Sequence, residues 1–129
     1  MHSLALLVLP DRLAVCRLPP DAPLPALPPD GLWSVTRTSE EMSVILPEAA
    51  IPRETDIEWK IEPGWRVLRV EGTLDFSLTG ILASIAEPLA ESGVPLFALS
   101  TYDTDYILIR DADLEWAKSA LAASGHEVR

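Results

Sequence analysis

The sequence predicts an α+β fold built from two small units, and three patterns carry that prediction. Residues 67–70 form a short apolar run typical of a buried strand, and apolar residues at helical spacing follow it. Two further strand patterns, 94–101 and 106–109, are joined by a tight polar turn. The first half contains strand patterns but no comparable helix. A chain of 129 residues suits one domain or two small ones, each with a modest core.

Composition and charge exclude several classes of protein. A formal net charge of -10 disfavours nucleic acid, which proteins bind through Lys and Arg, and equally disfavours an anionic membrane surface. The single cysteine, Cys16, cannot form an internal disulfide, which suits a reducing cytoplasm. The apolar run in residues 1–10 lacks the basic start and cleavage pattern of a signal peptide, and no run approaches the ~20 residues that span a bilayer. We therefore expect a soluble, acidic, cytoplasmic protein.

The first half is predicted to consist of strands and one proline-rich loop. Apolar runs at 4–9 and 13–18, separated by the turn pair Pro10-Asp11, predict a β-hairpin. Residues 19–31 hold six of the twelve prolines, and each proline lacks an amide donor, so this stretch is expected to be an ordered or semi-rigid loop. The remaining predicted features are strands at 32–37 and 42–46 and an irregular connector at 51–63.

The first helix of the second half is predicted from one apolar face and a glycine stop. Gly93 after Ser92 ends it, because glycine in this position adopts the left-handed conformation without strain. Pro88 removes one helical hydrogen bond, so we expect a kink after Ser84 or a first turn whose carbonyls are partly solvated. The apolar face consists of Leu78, Ile81, Leu82, Ile85 and Leu89.

A second helix is predicted after the strand at 106–109. Asp111 or Asp113 can cap its start, and Gly125 ends it before a last short strand at 126–128. Its apolar face consists of Leu114, Ala117 and Leu121. The second half is thus strand-helix-strand-strand-helix-strand, the ferredoxin-like arrangement.

The two halves show a weak internal repeat. Residues 35–45 lie over 99–109 without a gap, and both stretches contain a strand, hydroxyl residues, an acidic turn and a second strand. Low identity leaves a chance match open. With the connector as the boundary, we expect an N-terminal unit at 1–62, which lacks a full first helix, and a C-terminal unit at 63–129.

The residues themselves resemble the ACT-domain family. The stretches that carry the resemblance are V-E-G-T-L-D-F-S-L-T-G-I-L-A-S-I-A-E-P-L-A-E-S-G-V, F-A-L-S-T-Y-D-T-D-Y-I-L-I and, in the first half, T-R-T-S-E-E-M-S-V-I-L. The chain looks most like small bacterial proteins of two ACT-like units that are related to the arginine-sensing CASTOR proteins. The resemblance implies a regulatory or sensor module that binds an amino acid or similar small ligand between two such units, and that forms a homodimer.

A free amino acid needs donors for its carboxylate and acceptors for its ammonium group. The amides of Thr79, Gly80 and Ile81 lie at the predicted start of the first helix, where unpaired donors and the positive end of the helix dipole coincide. Gly80 also lets a ligand approach the backbone closely. Candidate acceptors and hydroxyl partners are Asp75, Asp103, Asp105, Ser100 and Thr101.

The resemblance assigns further contacts. Thr101, Tyr102 and Asp105 match the positions that contact arginine in the eukaryotic sensors, and Ser43 and Val44 are the facing contribution from the first half. We therefore expect the ligand between the halves, near the start of the first helix. An acidic pocket would suit a cationic side chain.

Plainer interpretations of the same residues stay open. Ser77 or Thr79 is a reasonable helix cap, and Asp103 and Asp105 are typical of hairpin turns held by their own backbone bonds. A structural dimerisation or adaptor module without a ligand is the alternative function. An enzyme is disfavoured, because two scattered histidines and one cysteine make no metal set, and the sequence contains no recognisable nucleophile–base pair or phosphate loop. We expect no cofactor.

Overall fold

A computed structural model describes residues 3–72 and 79–129 of the protein. These residues form two compact units, which we call the helical unit (Met1–Pro10 with Arg66–Arg129) and the strand unit (Asp11–Trp65). The strands are β1 (Ala5–Leu18), β2 (Ser34–Arg37), β3 (Met42–Pro47), β4 (Lys60–Val70), β5 (Phe97–Ser100), β6 (Asp105–Arg110) and β7 (Glu127–Val128), and the helices are α1 (Ile81–Glu91) and α2 (Leu114–Ala123). The boundary expected between residues 62 and 63 stays a prediction; in the compact units, the first ten residues group with the C-terminal part.

The helical unit follows the predicted order of strands and helices. Along the chain it runs β4, α1, β5, β6, α2 and β7, and its strands lie in the order β7-β1-β4-β6-β5. Ala5 pairs with Glu127 in a parallel ladder, so the first part of β1 lies between β7 and β4. The predicted α+β, ferredoxin-like arrangement is confirmed. The buried core of this unit consists of Leu6, Leu68, Val70, Ile85, Leu89, Val94, Ile107, Ile109, Leu114, Ala117 and Leu121.

The apolar face of α1 is narrower than the sequence predicts. Ile81, Ile85 and Leu89 are buried, whereas Leu82 is 39% exposed. At about 100° per residue, Leu82 lies some 60° from Ile85, at the edge of the buried stripe. The assignment of Leu82 to the core face is therefore wrong, and Leu78 lies outside the described residues. Gly93, with φ of 73°, ends the helix as predicted.

His126 satisfies the carbonyl that Pro88 leaves without a helical partner. An α-helix pairs the amide of residue 88 with the carbonyl of Ser84, and proline has no amide hydrogen. The Leu4 amide donates to Nδ1 of His126 at 3.1 Å, so the ring proton sits on Nε2, which donates to the Ser84 carbonyl at 2.7 Å. His126 is only 5% exposed. The Ser84 carbonyl is thus held by a buried side chain and not by solvent.

Neither predicted aspartate caps α2. Asp111–Asp113 forms a short 3-10 turn that runs directly into the helix, so Asp113 takes helical dihedrals and makes no capping bond. A capping side chain needs the extended conformation that this turn removes. Asp111 pairs with Arg66 at 3.3 Å instead. The predicted buried face of Leu114, Ala117 and Leu121 is confirmed.

The strand unit contains no α-helix, and all of its residues are described. Its strands lie in the order β2-β3-β1-β4, with β3 antiparallel to both β1 and β2. Residues 19–33 form neither helix nor strand. Arg37 holds this loop by donating to the carbonyls of Pro20 at 2.8 Å and Ala22 at 2.6 Å. The buried core of the unit consists of Ala14, Cys16, Leu18, Ala22, Met42, Val44 and Leu46.

The predicted N-terminal hairpin is wrong, because β1 is one strand of 14 residues. Residues 5–6 of β1 pair with β7 and residues 13–18 pair with β3. Pro10 lies between these two ladders, where its missing amide interrupts neither of them. A proline read as a turn is therefore accommodated inside an extended strand.

The connector is also shorter than the sequence predicts. β4 begins at Lys60, so residues 60–63 belong to the strand and the 67–70 run is only its buried end. The residues of β4 before Gly64 are exposed, and exposed strand residues give no apolar signal.

The hairpins β2–β3 and β5–β6 have the same construction. In each four-residue turn, 38–41 and 101–104, the first residue is a threonine whose amide donates to the carbonyl of the fourth, at 2.8 and 2.9 Å respectively. The threonine hydroxyl accepts the amide of the same fourth residue in both turns. Both second strands continue into a 3-10 turn. The predicted repeat of the hairpins is confirmed.

The gap-free alignment of that repeat is wrong by one residue. Thr38 corresponds to Thr101, whereas the alignment places it over Tyr102. Each second strand buries three consecutive residues, 44–46 and 107–109, so the usual alternation of buried and exposed residues does not fix the register.

Candidate functional site

The β5–β6 turn is fixed against the end of β4 in the helical unit. Thr104 Oγ1 donates to the Val70 carbonyl at 2.6 Å, and Thr104 is only 7% exposed. Thr101 and Asp103 of the same turn are exposed. The turn therefore holds hydroxyl and carboxylate groups beside the last residues of β4.

A cavity of about 190 Å³ lies at this junction. At about 30 Å³ per water molecule, it holds roughly six waters, which suits a ligand of amino-acid size and is less than the ~300–1,000 Å³ typical of drug sites. Its lining combines one cationic side chain, one carboxylate and three hydroxyl groups. The lining residues are Arg69, Gly72, Thr101, Asp103, Thr104 and Tyr106. Both charges of a zwitterion find an opposite charge in this set.

Ser100 and Asp105 face each other at the base of the turn. They pair in the register of β5 and β6, and Ser100 Oγ donates to Asp105 Oδ1 at 2.6 Å. Asp105 is thus held by a side-chain bond. Tyr102 at the tip is 79% exposed. Among the predicted site residues that the structure describes, Asp103 and Thr101 line the cavity.

The start of α1 has the geometry of an uncapped helix N-terminus. Gly80 occupies the N-cap position with φ of 78°, a left-handed conformation that favours glycine, so the N-cap residue itself contributes no capping side chain. The N-cap residue is therefore Gly80 and not Thr79. Thr79 and Gly80 are exposed, and Ile81 is 7% exposed. The predicted contributions of Asp75 and Ser77 lie outside the described residues.

Ser43 and Val44 lie on β3 of the strand unit. Val44 is buried and Ser43 is half-buried, opposite Arg17 of β1. Their predicted contribution to the ligand site stays a prediction.

Sequence reasoning missed Arg69, Thr104 and Tyr106 as site residues. One signal was available for Arg69, because it is the single charged residue in the apolar run 67–70, which marks a position that does not point into the core. Thr104 carries no such signal, since its role depends on the Val70 carbonyl, a partner distant in the sequence.

Cys16 is a packing residue of the strand unit. Its side chain is 2% exposed, and burial raises the pKa of the thiol from 9.0 to about 11, because the thiolate is disfavoured away from water. A thiol in this state is a poor nucleophile. Across residues 3–72 and 79–129, no three metal-ligating side chains converge, and neither helix is long and apolar enough to cross a membrane.

The fold defines a small α+β module, and the cavity described above lies in its helical unit. An ACT-domain family model matches residues 60–123, and a second model, described as an N-terminal domain, matches residues 11–54. The chain belongs to the ACT-domain family and is related to the CASTOR proteins, as the sequence resemblance implies.

The relatives differ in length from this chain. The human cytosolic arginine sensor for mTORC1 subunit 1 is 33% identical over 97 residues, which cover 70% of this chain and 30% of the sensor. This chain therefore spans only 30% of that relative's length. The human putative protein CASTOR3P is 31% identical over 101 residues, covering 70% of this chain and 61% of CASTOR3P.

Solved structures share the fold. The crystal structure of an Agobacterium tumefaciens protein is similar with a TM-score of 0.90 and 32% identity, and covers 100% of this chain and 94% of that chain. The ligand-free regulatory subunit of aspartate kinase from Thermus thermophilus has a TM-score of 0.66 at 14% identity, with 95% of this chain and 99% of that chain covered. At this low identity, the second likeness concerns the fold alone.

Proposed function

We propose that this protein is a non-catalytic regulatory module that binds a free amino acid or a similar small zwitterion. The cavity of the helical unit carries the proposal, because it places Arg69 and Asp103 at one site of amino-acid size. Membership of the ACT family and relatives named as arginine sensors support it.

In this proposal, the start of α1 supplies donors for the ligand carboxylate. The amides around Thr79, Gly80 and Ile81 lie at the positive end of the helix dipole, and the N-cap residue Gly80 has no side chain that could cap them. The ligand ammonium or a cationic side chain meets Asp75 or Asp105. Hydroxyl and neighbouring contacts come from Ser100, Thr101 and Tyr102.

The same proposal covers location and assembly. Relatives named as cytosolic sensors support a cytoplasmic protein. The strand order of the helical unit ends with β5, so the outer edge of β5 meets no other strand of that unit among the described residues. An open strand edge favours pairing with a second copy, and we propose a homodimer. Light scattering that shows a monomer across the micromolar range would refute the proposed homodimer.

The alternative is a structural dimerisation or adaptor module without a ligand. The Ser100–Asp105 bond favours it, since this carboxylate has a partner before any ligand arrives. Calorimetric titration with each of the twenty amino acids separates the two functions. The regulatory proposal expects binding of at least one; no binding heat from any of them would leave the structural alternative.

Asp105→Ala tests whether the Asp105 carboxylate contacts the ligand, and the ligand used is the amino acid that wild type binds most tightly. Loss of a hydrogen bond to a charged group costs about 1.5–3 kcal/mol, so affinity should fall by roughly ten- to a hundredfold while the fold survives. Asp21→Ala, at an exposed position, is the control. Asp11 is unsuitable as a control because its carboxylate accepts the Leu32 amide at 3.2 Å. Equal affinities for all three proteins would clear Asp105 of a binding role.

A further inference from the structure

The cavity of the helical unit contains a cation, Arg69, that makes no ion pair with residues 3–72 or 79–129. Arg69 immediately precedes Val70, the last residue of β4, and lines the cavity. The residues in 3–72 and 79–129 give it neither a hydrogen bond nor an ion pair. The other cationic side chains of this unit are engaged: Arg66 with Asp111 at 3.3 Å, Lys118 with Glu115 at 3.4 Å, Arg129 with Glu71 at 2.6 Å, and Arg110 in an interaction of its own.

The strand unit provides an internal comparison. In the ladder between β1 and β3, Leu18 pairs with Met42, the first residue of β3, and Arg17 pairs with Ser43. Each arginine immediately precedes the last residue of its strand, Leu18 of β1 and Val70 of β4. Arg17 donates to the carbonyl of Glu40 in its own turn at 3.0 Å.

Arg69 makes no such bond to the corresponding turn of the helical unit. One guanidinium nitrogen of Arg17 is therefore bound to its own turn, although Arg17 also lines a small pocket, whereas Arg69 makes no bond to residues 101–104.

The negative net charge of the chain means that an anion can be held only where a cation such as Arg69 is close by. A chain of net charge -10 repels anions on average, so an anionic group needs a local cation to be held. A guanidinium offers planar, paired donors that match a carboxylate, and Thr101 and Tyr106 line the same cavity. Asp103, on the turn, provides the opposite charge.

We propose that Arg69 adds a charged donor to the α1 amides in binding the carboxylate of the amino acid ligand, and that Asp103 is a further carboxylate for the ligand's cationic group. This inference rests on the proposed function and narrows its ligand to molecules with an ionised carboxylate. A primary amide of the same amino acid, which keeps the ammonium but loses the negative charge, should be discriminated against. Arg69 is then the residue that supplies the discrimination.

The probes are the twenty free amino acids and their primary amides, for example L-arginine and L-argininamide. Affinity for the tightest amino acid and its amide is measured by calorimetry on wild type, Arg69→Gln and Arg69→Lys. Arg53→Gln, the same charge change at an exposed position of residues 51–59, is the control. Melting temperatures accompany each titration.

Wild type and Arg53→Gln should prefer the acid over its amide by about 10- to 100-fold, the range for a hydrogen bond to a charged group. Arg69→Gln should lose most of that preference, because it lowers the affinity for the acid and leaves the affinity for the amide unchanged. Arg69→Lys should retain part of it, since lysine keeps the charge and loses the paired donors.

Two failures are distinguishable. If wild type binds none of the twenty amino acids, the proposed function fails and this inference with it. If wild type binds one, but a folded Arg69→Gln keeps the full preference for the acid, the start of α1 holds the carboxylate without Arg69. Equal weakening of acid and amide by Arg69→Gln would equally overturn the assignment.

Discussion

Replacing His126 by phenylalanine tests how the fold accommodates a proline inside α1. Phenylalanine keeps a planar ring but offers no nitrogen to either neighbour. The change leaves the Leu4 amide and the Ser84 carbonyl without their partner at a site that is 5% exposed. Each buried polar group left unpaired costs about 1–3 kcal/mol, so we expect His126→Phe to lower the free energy of unfolding by roughly 3 kcal/mol.

The second half of the test uses Pro88→Ala. The alanine introduced by this substitution has an amide hydrogen, which can donate to the Ser84 carbonyl in the ordinary helical pattern. In that background the carbonyl no longer depends on His126, and only the Leu4 amide is left unpaired by His126→Phe. The cost of His126→Phe should therefore be smaller by about 1–2 kcal/mol in the Pro88→Ala background.

The assay is a double-mutant cycle by urea unfolding of wild type, both single variants and the double variant. The coupling between the two positions isolates the Ser84 carbonyl, since the loss at Leu4 is common to both backgrounds. Unrelated sites add within about 0.3–0.5 kcal/mol. A cost of His126→Phe that is equal in both backgrounds within that margin would refute the reasoning.

Further predictions concern Cys16 and Thr104. The folded protein should resist iodoacetamide at pH 8, because Cys16 is buried and its pKa is about 11, whereas the urea-unfolded chain should react readily. The folded pKa lies above the ordinary 9.0, so the contribution of Cys16 to stability is complete below about pH 9 and is lost as the pH rises through about 11. Chemical unfolding of wild type and Cys16→Ala should therefore converge over that interval; parallel pH profiles would contradict this. Thr104→Val should lower the free energy of unfolding by about 1–3 kcal/mol, since it leaves the Val70 carbonyl unpaired, while Thr104→Ser should retain most of it.

Local patterns were sufficient for the elements whose cause is local. The spacing of Ile81, Ile85 and Leu89 predicts α1, and the glycines after each helix predict where it ends. The hairpin turns also follow from local residues, since a threonine closes each of them. These features depend on neighbours within a few positions along the chain.

The errors arise where distant partners decide the outcome. Pro10 looks like a turn residue, yet it lies between the ladders that β1 forms with β7 and β3. His126 looks like a residue after a helix stop, yet its two nitrogens bind residues far away in the sequence. Sequence patterns carry no information about such pairings, because the partner residues follow no fixed spacing.

The candidate site divides in the same way. The amides at the start of α1 and the polar turn residues are local features, and the sequence predicts both. Arg69 joins the site only because Thr104 ties the turn to Val70, the neighbour of Arg69. The distribution of charge along the sequence identifies the acidic residues of the turn, but it does not show that Arg69 lies beside them.

The most direct test of the central claim is an NMR titration of uniformly ¹⁵N-labelled protein with each of the twenty amino acids. The account predicts that one of them shifts amide signals of residues 69–72, 101–106 and the start of α1. The equivalent turn at 38–41, whose arginine is already bound to its own turn, should stay unchanged. Absence of shifts with all twenty, or shifts that spare residues 69–72 and 101–106, would contradict the claim that this module binds an amino acid in the cavity of its helical unit.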